Sequence, residues 1–372
     1  MAGGVLSSDW APSFAAVPRA SFLPDLIWPF NMQTGQSIPV SRSADPKAWY
    51  GYADADVPVV TQWDDGKHSG TEPGDVSTSS ASMPSVVFRM LSDLDVKPGN
   101  RVLEIGTGTG WNAALLAHRL RSENVVTVEV DSVVAAEART ALNLFGLAVR
   151  VINRDGLKGY PEGGPYDRII ATCGFRQLPF AWVEQSRPGA VIVAPWGTPY
   201  GNGDAVARLV VADGGESATG PFTGPVEFMK ARAQRLSPVV HSEYVIGDVA
   251  DREKSSTTIT EDDFLGDRFS PQRFAVGIKV RDCVHVVADK RDGKRPVWFY
   301  GLTDRSWACV MFRDKDDAQV WQSGPRKLWD EVDSAYRWWA GKGKPGYERF
   351  GLTVAAEGQS AWVDDPAESW QV

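Results

Sequence analysis

The chain is short of cysteine, of long apolar runs and of positive charge, and each shortage removes a class of protein. Its three cysteines, Cys173, Cys283 and Cys309, are too few and too scattered for a disulfide frame or a zinc site, so no metal is expected. They read as small buried hydrophobes. No apolar stretch approaches the roughly 20 residues that cross a bilayer, so no membrane partner is expected. The N-terminus, MAGGVLSSDWAPSFAAVPRASF, lacks a basic start and a long apolar segment and does not read as a signal peptide. Together these shortages point to the cytoplasm. Lysine and arginine (39) are outnumbered by aspartate and glutamate (47), a formal net charge of −8, which argues against a nucleic-acid partner. What remains is a 372-residue globular composition, 43% hydrophobic and 23% charged, long enough for roughly two or three domains.

The most informative stretch runs from Arg101 to Asp131. An apolar run, Val102-Leu103-Glu104-Ile105, precedes glycines at alternate positions, Gly106, Gly108 and Gly110. A helical stretch follows, then a second apolar run ending in Glu129. This is a strand, a glycine turn, a helix and a strand. Glycine suits a backbone that turns sharply beside a ligand, and the helix behind it presents free N–H groups at the same place. Glu129, about 20 residues on, ends the second strand, where a carboxylate can accept from ribose hydroxyls. A dinucleotide fingerprint needs glycine at the sixth position from Gly106, and Trp111 stands there. The spacing E-x-G-x-G-x-G instead resembles the adenosylmethionine loop of class I methyltransferases. A glycine-rich turn of some other α/β domain is the plain alternative.

The regular alternation continues downstream. Helix 132–145, strand 149–152, strand 167–171, a helix near 178–187, strand 190–195 and strand 207–212 imply a mostly parallel, doubly wound sheet. The glycine loop, Glu129, Asp155-Gly156 and Cys173-Gly174 all fall at the strand C-termini, where such sheets bind ligands. Asp155-Gly156 is either a plain turn or a carboxylate facing an adenine amine. Upstream, Val17-Pro18-Arg19 to Phe22-Leu23-Pro24 suggests a short helix between prolines, and residues 52–60 a strand. Residues 61–80 are polar and glycine-rich, which fits a mobile loop serving as a lid or a plain surface insertion. A helix should begin near Pro84. Ser82 lies at or next to its N-cap, either capping it or holding a carboxylate at the positive helix end.

In this order the motifs resemble the protein-L-isoaspartate O-methyltransferase family over residues 17 to about 235. They are Val17-Pro18-Arg19, Phe22-Leu23-Pro24, Val57-Pro58-Val59, Ser80-Ala81-Ser82-Met83-Pro84, Val102 to Gly110, Asp155-Gly156, Tyr166-Asp167-Arg168-Ile169-Ile170 and Pro188 to Pro195. The Ser-x-Pro element is the family's own. The resemblance implies a class I (Rossmann-like) methyltransferase fold using S-adenosyl-L-methionine. It implies cofactor contacts at Glu104, Gly106, Thr107, Gly108, Gly110, Glu129, Val130, Asp155 and Gly156, with Ser82 and Ser80 orienting the acceptor carboxylate. Two departures stand out. Residues 61–79 intervene where the family has a short link, and the chain continues well past residue 235.

Three regions are expected: an N-terminal cap and lid over 1–80, the methyltransferase core over 81–235, and an α+β extension over 236–372. Eight of the 15 tryptophans lie in the extension. Its strands are expected at 274–280 and 306–312 and a helix near 324–340. It is expected to bury its own core, so that its removal spares the cofactor site. Its aromatics are core by default, or anchors for a peptide. The run from Gly324 to Trp339, with Glu348 to Val354, resembles a family branch that tailors ribosomally made peptides. That resemblance implies methylation of an Asp carboxylate in a constrained peptide, the ester then losing methanol to the next amide to form a succinimide; a monomer is expected. The alternative is a general isoaspartyl repair enzyme with an extra domain. A third reading, a non-catalytic peptide-binding scaffold, is opposed by the intact glycine loop and acids.

Overall fold

The computed structural model describes residues 5–314 and 317–372. Residues 1–4 of the expected cap and 315–316 of the expected extension lie outside the described residues. A ten-stranded sheet forms the centre. Its parallel half comprises β1 (Val102–Ile105), β2 (Val125–Glu129), β3 (Arg150–Asn153), β4 (Tyr166–Ala171) and β5 (Ser186–Trp196), in the order β5-β4-β1-β2-β3. Every residue of β1 and β2 is buried, as strands covered on both faces must be. Helix α1 (Pro84–Leu94) starts on Pro84, whose missing N–H is an orphan there anyway, and buries Val87, Phe88, Met90, Leu91 and Leu94. Helix α2 (Trp111–Leu120) follows the glycine loop. Helix α3 (Ser132–Leu144) is capped by Asp131, which accepts from the N–H groups of Val133 and Val134. This is the expected class I α/β core.

The sheet does not stop there. β6 (Asp204–Val211) and β7 (Ser217–Val226) run antiparallel, so the sheet as a whole is mixed. The C-terminal segment then adds β8 (Phe350–Ala355), β9 (Gly358–Val363) and β10 (Trp370–Gln371) to the same sheet. Ser217–Pro221 of β7 pairs with Gly351–Ala355 of β8.

Before the core, the strands Leu26–Asn31, Val59–Trp63 and Ser77–Ala81 belong to a separate small sheet. The strand expected from residue 52 starts only at Val59, because Pro46–Asp54 is helical. Asp45 accepts from Ala48 N (2.9 Å), Pro46 takes the first turn, and Trp49 and Ala53, four apart, are buried. After the core, a five-stranded antiparallel sheet spans Glu253–Thr257 to Ala318–Ser323 and packs on helix α5 (Leu328–Gly341). The segment expected as a strand at 274–280 is instead helix α4 (Pro271–Lys279). Phe274, Ala275 and Ile278 fall on one helical face, and a short apolar run carries no period that separates the two forms.

The extension buries a core of its own, from Ile259 and Phe264 to Val332 and Ala335, and it also shares a second one with the methyltransferase sheet. One cluster joins Leu103, Ile105 and Ile169 of the parallel strands to Phe274, Phe350, Leu352, Val354 and Val363. Phe222 of β7 lies 4.8 Å from Phe274, which lies 5.8 Å from Phe350. Of the eight tail tryptophans, Trp307, Trp329, Trp339 and Trp362 are buried and the other four half-buried. Among the described residues no helix is long and apolar enough to cross a membrane.

This shared core reverses the expectation that the tail can be removed cleanly. Truncation after residue 236 should leave an unstable chain, because it bares β7 and the Phe222 face. Phe350→Ala should cost about 3–5 kcal/mol in urea unfolding. An unchanged unfolding midpoint in that variant would show that the tail folds independently.

Candidate active site

The C-terminal ends of β1 to β4 meet the segments 78–82 and 228–235 around one cavity of about 390 Å³. Gly106, Gly108 and Gly110 all take positive φ (92°, 52° and 88°). A Cβ on Gly106 would stand 2.9 Å from Thr172 Oγ1, and one on Gly108 would stand 3.3 Å from the Ser80 carbonyl. The loop can therefore pass between β4 and the Ser80 strand only without side chains. Gly108 N donates to Glu129 Oε2 (3.0 Å), and Asp131 N donates to Glu129 Oε1 (3.1 Å). Each carboxylate oxygen keeps acceptor capacity, and Glu129 lines the cavity. Val130 is beside it, half exposed.

Asp155 fills both of its candidate roles in shape. Its Oδ1 accepts from Leu157 N (3.0 Å), and the residue also lines the cavity beside Gly156. Gly156 is pressed on β1, since a Cβ would fall 2.6 Å from Ile105 Cγ2. Thr107 lines the wall, and its hydroxyl pairs with Thr127 (2.6 Å).

Glu104 sits elsewhere. It is fully buried beneath the loop and is not part of the wall. Its Oε1 accepts from Asn112 Nδ2 on α2 (2.6 Å) and its Oε2 from Thr127 on β2 (2.6 Å). Burial raises its pKa to about 7. It ties the two strands and the helix that carry the loop.

Ser80 and Ser82 both reach the cavity. Capping of α1 does not fall to Ser82: Met83 is the N-cap residue, without a side-chain bond, and Asp56 Oδ1 accepts from Ser85 N (2.8 Å). The Ser82 backbone is fixed from the cap. Arg19, only 4% exposed, spends its five N–H donors on the carbonyls of Tyr52, Ala53, Ala55, Val57 and Ser82 at 2.9–3.3 Å. Burial lowers its pKa to about 10, so it stays charged at neutral pH. Trp111, the residue that breaks the dinucleotide pattern, donates to Val17 O (3.0 Å) and lies under the Arg19 guanidinium (5.9 Å).

Several wall residues had no signal in the sequence. Lys230, Arg232 and Arg235 line the cavity from the segment after β7. Lys230 forms a buried ion pair with Asp204, burial lowering the pKa of the first and raising that of the second. Gly174 N donates to Met229 O (2.8 Å) and Ala231 N to Gly174 O (2.9 Å), which lays this segment along the end of β4. Cys173 is on the wall, but burial pushes its thiol up to about 12, so it is no nucleophile at neutral pH. Among the described residues no group of three or more His, Cys, Asp or Glu could hold a metal.

Two outcomes follow from this geometry. Arg19→Lys leaves at least two buried carbonyls without donors and should cost about 2–5 kcal/mol in urea unfolding; a change below about 1 kcal/mol would show that other groups replace the guanidinium. Glu104 is an acid with a raised pKa, so the folded state holds its proton longer than the unfolded one. Its contribution to stability should fall as pH rises from about 4.5 to about 7 and then level off, by about 3 kcal/mol in all. Unfolding compared with Glu104→Gln across that range measures it, and a flat difference would rule it out.

The family model described as Protein-L-isoaspartate(D-aspartate) O-methyltransferase (PCMT) matches residues 51–223. A protein-L-isoaspartate O-methyltransferase of Pyrococcus horikoshii is 42% identical over 118 residues, 32% of this chain and 53% of that protein. One of Xanthobacter autotrophicus is 36% identical over 158 residues, 42% of this chain and 68% of that protein. The chain spans about half the length of the first curated relatives it matches. A solved structure of a protein-L-isoaspartate O-methyltransferase superposes on 97% of this chain and 96% of its own, with a TM-score of 0.54 and 21% identity. At that identity it is the fold that is shared, over nearly the whole length of both chains. With 68% of the Xanthobacter protein matched at 36% identity, the chain belongs to the protein-L-isoaspartate O-methyltransferase family.

Proposed function

We propose that this chain is an S-adenosylmethionine-dependent carboxyl O-methyltransferase whose acceptor is an isoaspartyl carboxylate in a peptide or protein. One observation carries the reading. The Ser80–Ser82 strand end and the loop residues Gly106–Thr109 line the same cavity, with the Ser80 carbonyl against Gly108, while Gly110 is off the wall and packs on Ala138 and Leu142. The residues fit the cofactor by their chemistry. Glu129 offers spare lone pairs to a ribose diol, and Asp155 has an oxygen without a partner among the described residues for an adenine amine. Bound there, the cofactor would supply a methyl group already activated by its sulfonium.

The chain's own task is placement. A carboxylate is ionised at neutral pH, so no general base is needed. The Ser82 hydroxyl, free of helix capping, donates to the acceptor carboxylate and turns one oxygen toward the methyl group. Arg19 holds the Ser82 backbone for this. The buried floor of β1, β2 and β4 keeps water from competing.

The likeness to isoaspartyl enzymes supports the general reading over peptide tailoring. The tailoring reading leaned on the tail, and the tail's fold is shared with a solved isoaspartyl enzyme. Labelled-cofactor assays on a linear isoaspartyl peptide and on a cyclised Asp precursor separate the two. Transfer to the linear peptide is the result expected; transfer only to the precursor would restore tailoring. Ser82→Ala should lower kcat roughly ten- to hundredfold with cofactor affinity unchanged, the worth of a hydrogen bond to a charged group. Glu129→Ala should weaken cofactor binding by a similar factor in calorimetry. Cofactor affinity lost in the first, or kept in the second, would overturn those assignments.

A further inference from the structure

The segment between Val59–Trp63 and Ser77–Ala81 carries Asp65 at φ 55°, a left-handed conformation uncommon outside glycine. Its N–H donates to the Thr78 hydroxyl (3.1 Å). Its carboxylate meets two guanidiniums. Arg232 Nε lies 2.9 Å from Oδ1, and Arg235 Nη1 donates to both oxygens at 2.9 and 3.1 Å. Both arginines line the cavity.

The three cations of the cavity wall are not equivalent. Lys230 is committed to the buried Asp204. Arg232 is shared with Asp131 (2.7 Å) and Gln62 (3.1 Å), and Asp131 also caps α3. The Arg235 side chain has no partner but Asp65 among the described residues. That pair is half-buried, the Arg235 and Asp65 side chains being 26% and 37% exposed. A pair still reached by solvent is exchangeable, and a guanidinium fork accepts any carboxylate of suitable approach.

We infer that Asp65 is an internal stand-in for the acceptor, and that Arg235, with Arg232 beside it, is the group that receives the incoming peptide's carboxylate. The inference rests on the carboxylate acceptor proposed above. Asp65 keeps the guanidinium oriented and neutralised until a peptide carboxylate displaces it. The segment that separates this chain from the family's short link thereby sets the threshold for substrate entry.

Fluorescence anisotropy on the full chain with S-adenosylhomocysteine tests this. The probes are a labelled isoaspartyl peptide and the same peptide with that carboxylate as a carboxamide. Asp65→Asn should tighten the carboxylate peptide about two- to fivefold, what a solvent-screened pair is worth, and leave the carboxamide unchanged. Arg235→Gln should weaken the carboxylate peptide roughly tenfold. Asp65→Gly, which also relieves the left-handed backbone, replaces Asp65→Asn should that variant fail to fold. Equal responses of the two peptides, no preference for the carboxylate, or unchanged affinity in either variant would overturn the inference. The expected binding pattern without methyl transfer would leave it standing and sink the proposed function instead.

Discussion

The site depends on one buried cation. Arg19 is placed by the helical turn Arg19–Phe22, and its five donors meet five backbone carbonyls. Four of these belong to residues 52–57, and the fifth is Ser82. A charge so buried is tolerated only because every donor is met. The requirement works in both directions. The cap is held to the core by the guanidinium, and the guanidinium is held by the cap. Trp111 closes the arrangement from the core side, since its indole donates to Val17 and its ring lies under the charge. The acceptor serine and the helix behind the glycine loop are thus set by a single contact point.

Glu104 plays the matching part beneath the loop. Its two oxygens bridge α2 and β2, and Thr127 passes the connection on to Thr107. The glycine loop is therefore fastened from below by a carboxylate and from the side by Glu129. Pre-organisation of this kind suits a reaction in which the protein supplies geometry rather than acid or base.

Much of the core was legible in the sequence because its signals are local. Apolar strands, the Gly106–Gly110 spacing, the proline at Pro84 and the acid at Glu129 each lie within a few residues of what they specify. The antiparallel half of the sheet was not legible. β8 reaches β7 across more than a hundred residues, and no local pattern names a partner strand. The segment 274–280 carries no period that separates strand from helix, and it folds as part of helix α4. Arg19, Asp65, Arg232 and Arg235 gave no reading as a set because charged residues are common and only the fold pairs them. Arg235 and Asp65 stand 170 positions apart. Even the resemblance carried Val17-Pro18-Arg19 as a motif without its reason, which is the fork of carbonyls it serves.

The pairing of β8 on β7 also bears on synthesis. β7 is complete at Val226, yet its partner begins at Phe350. At about 5–20 residues per second, the outer edge of β7 waits on the order of ten seconds after leaving the ribosome. Through that interval it presents unpaired N–H and C=O groups beside the Phe222 face. The order of translation gives this protein a vulnerable intermediate that the finished fold conceals.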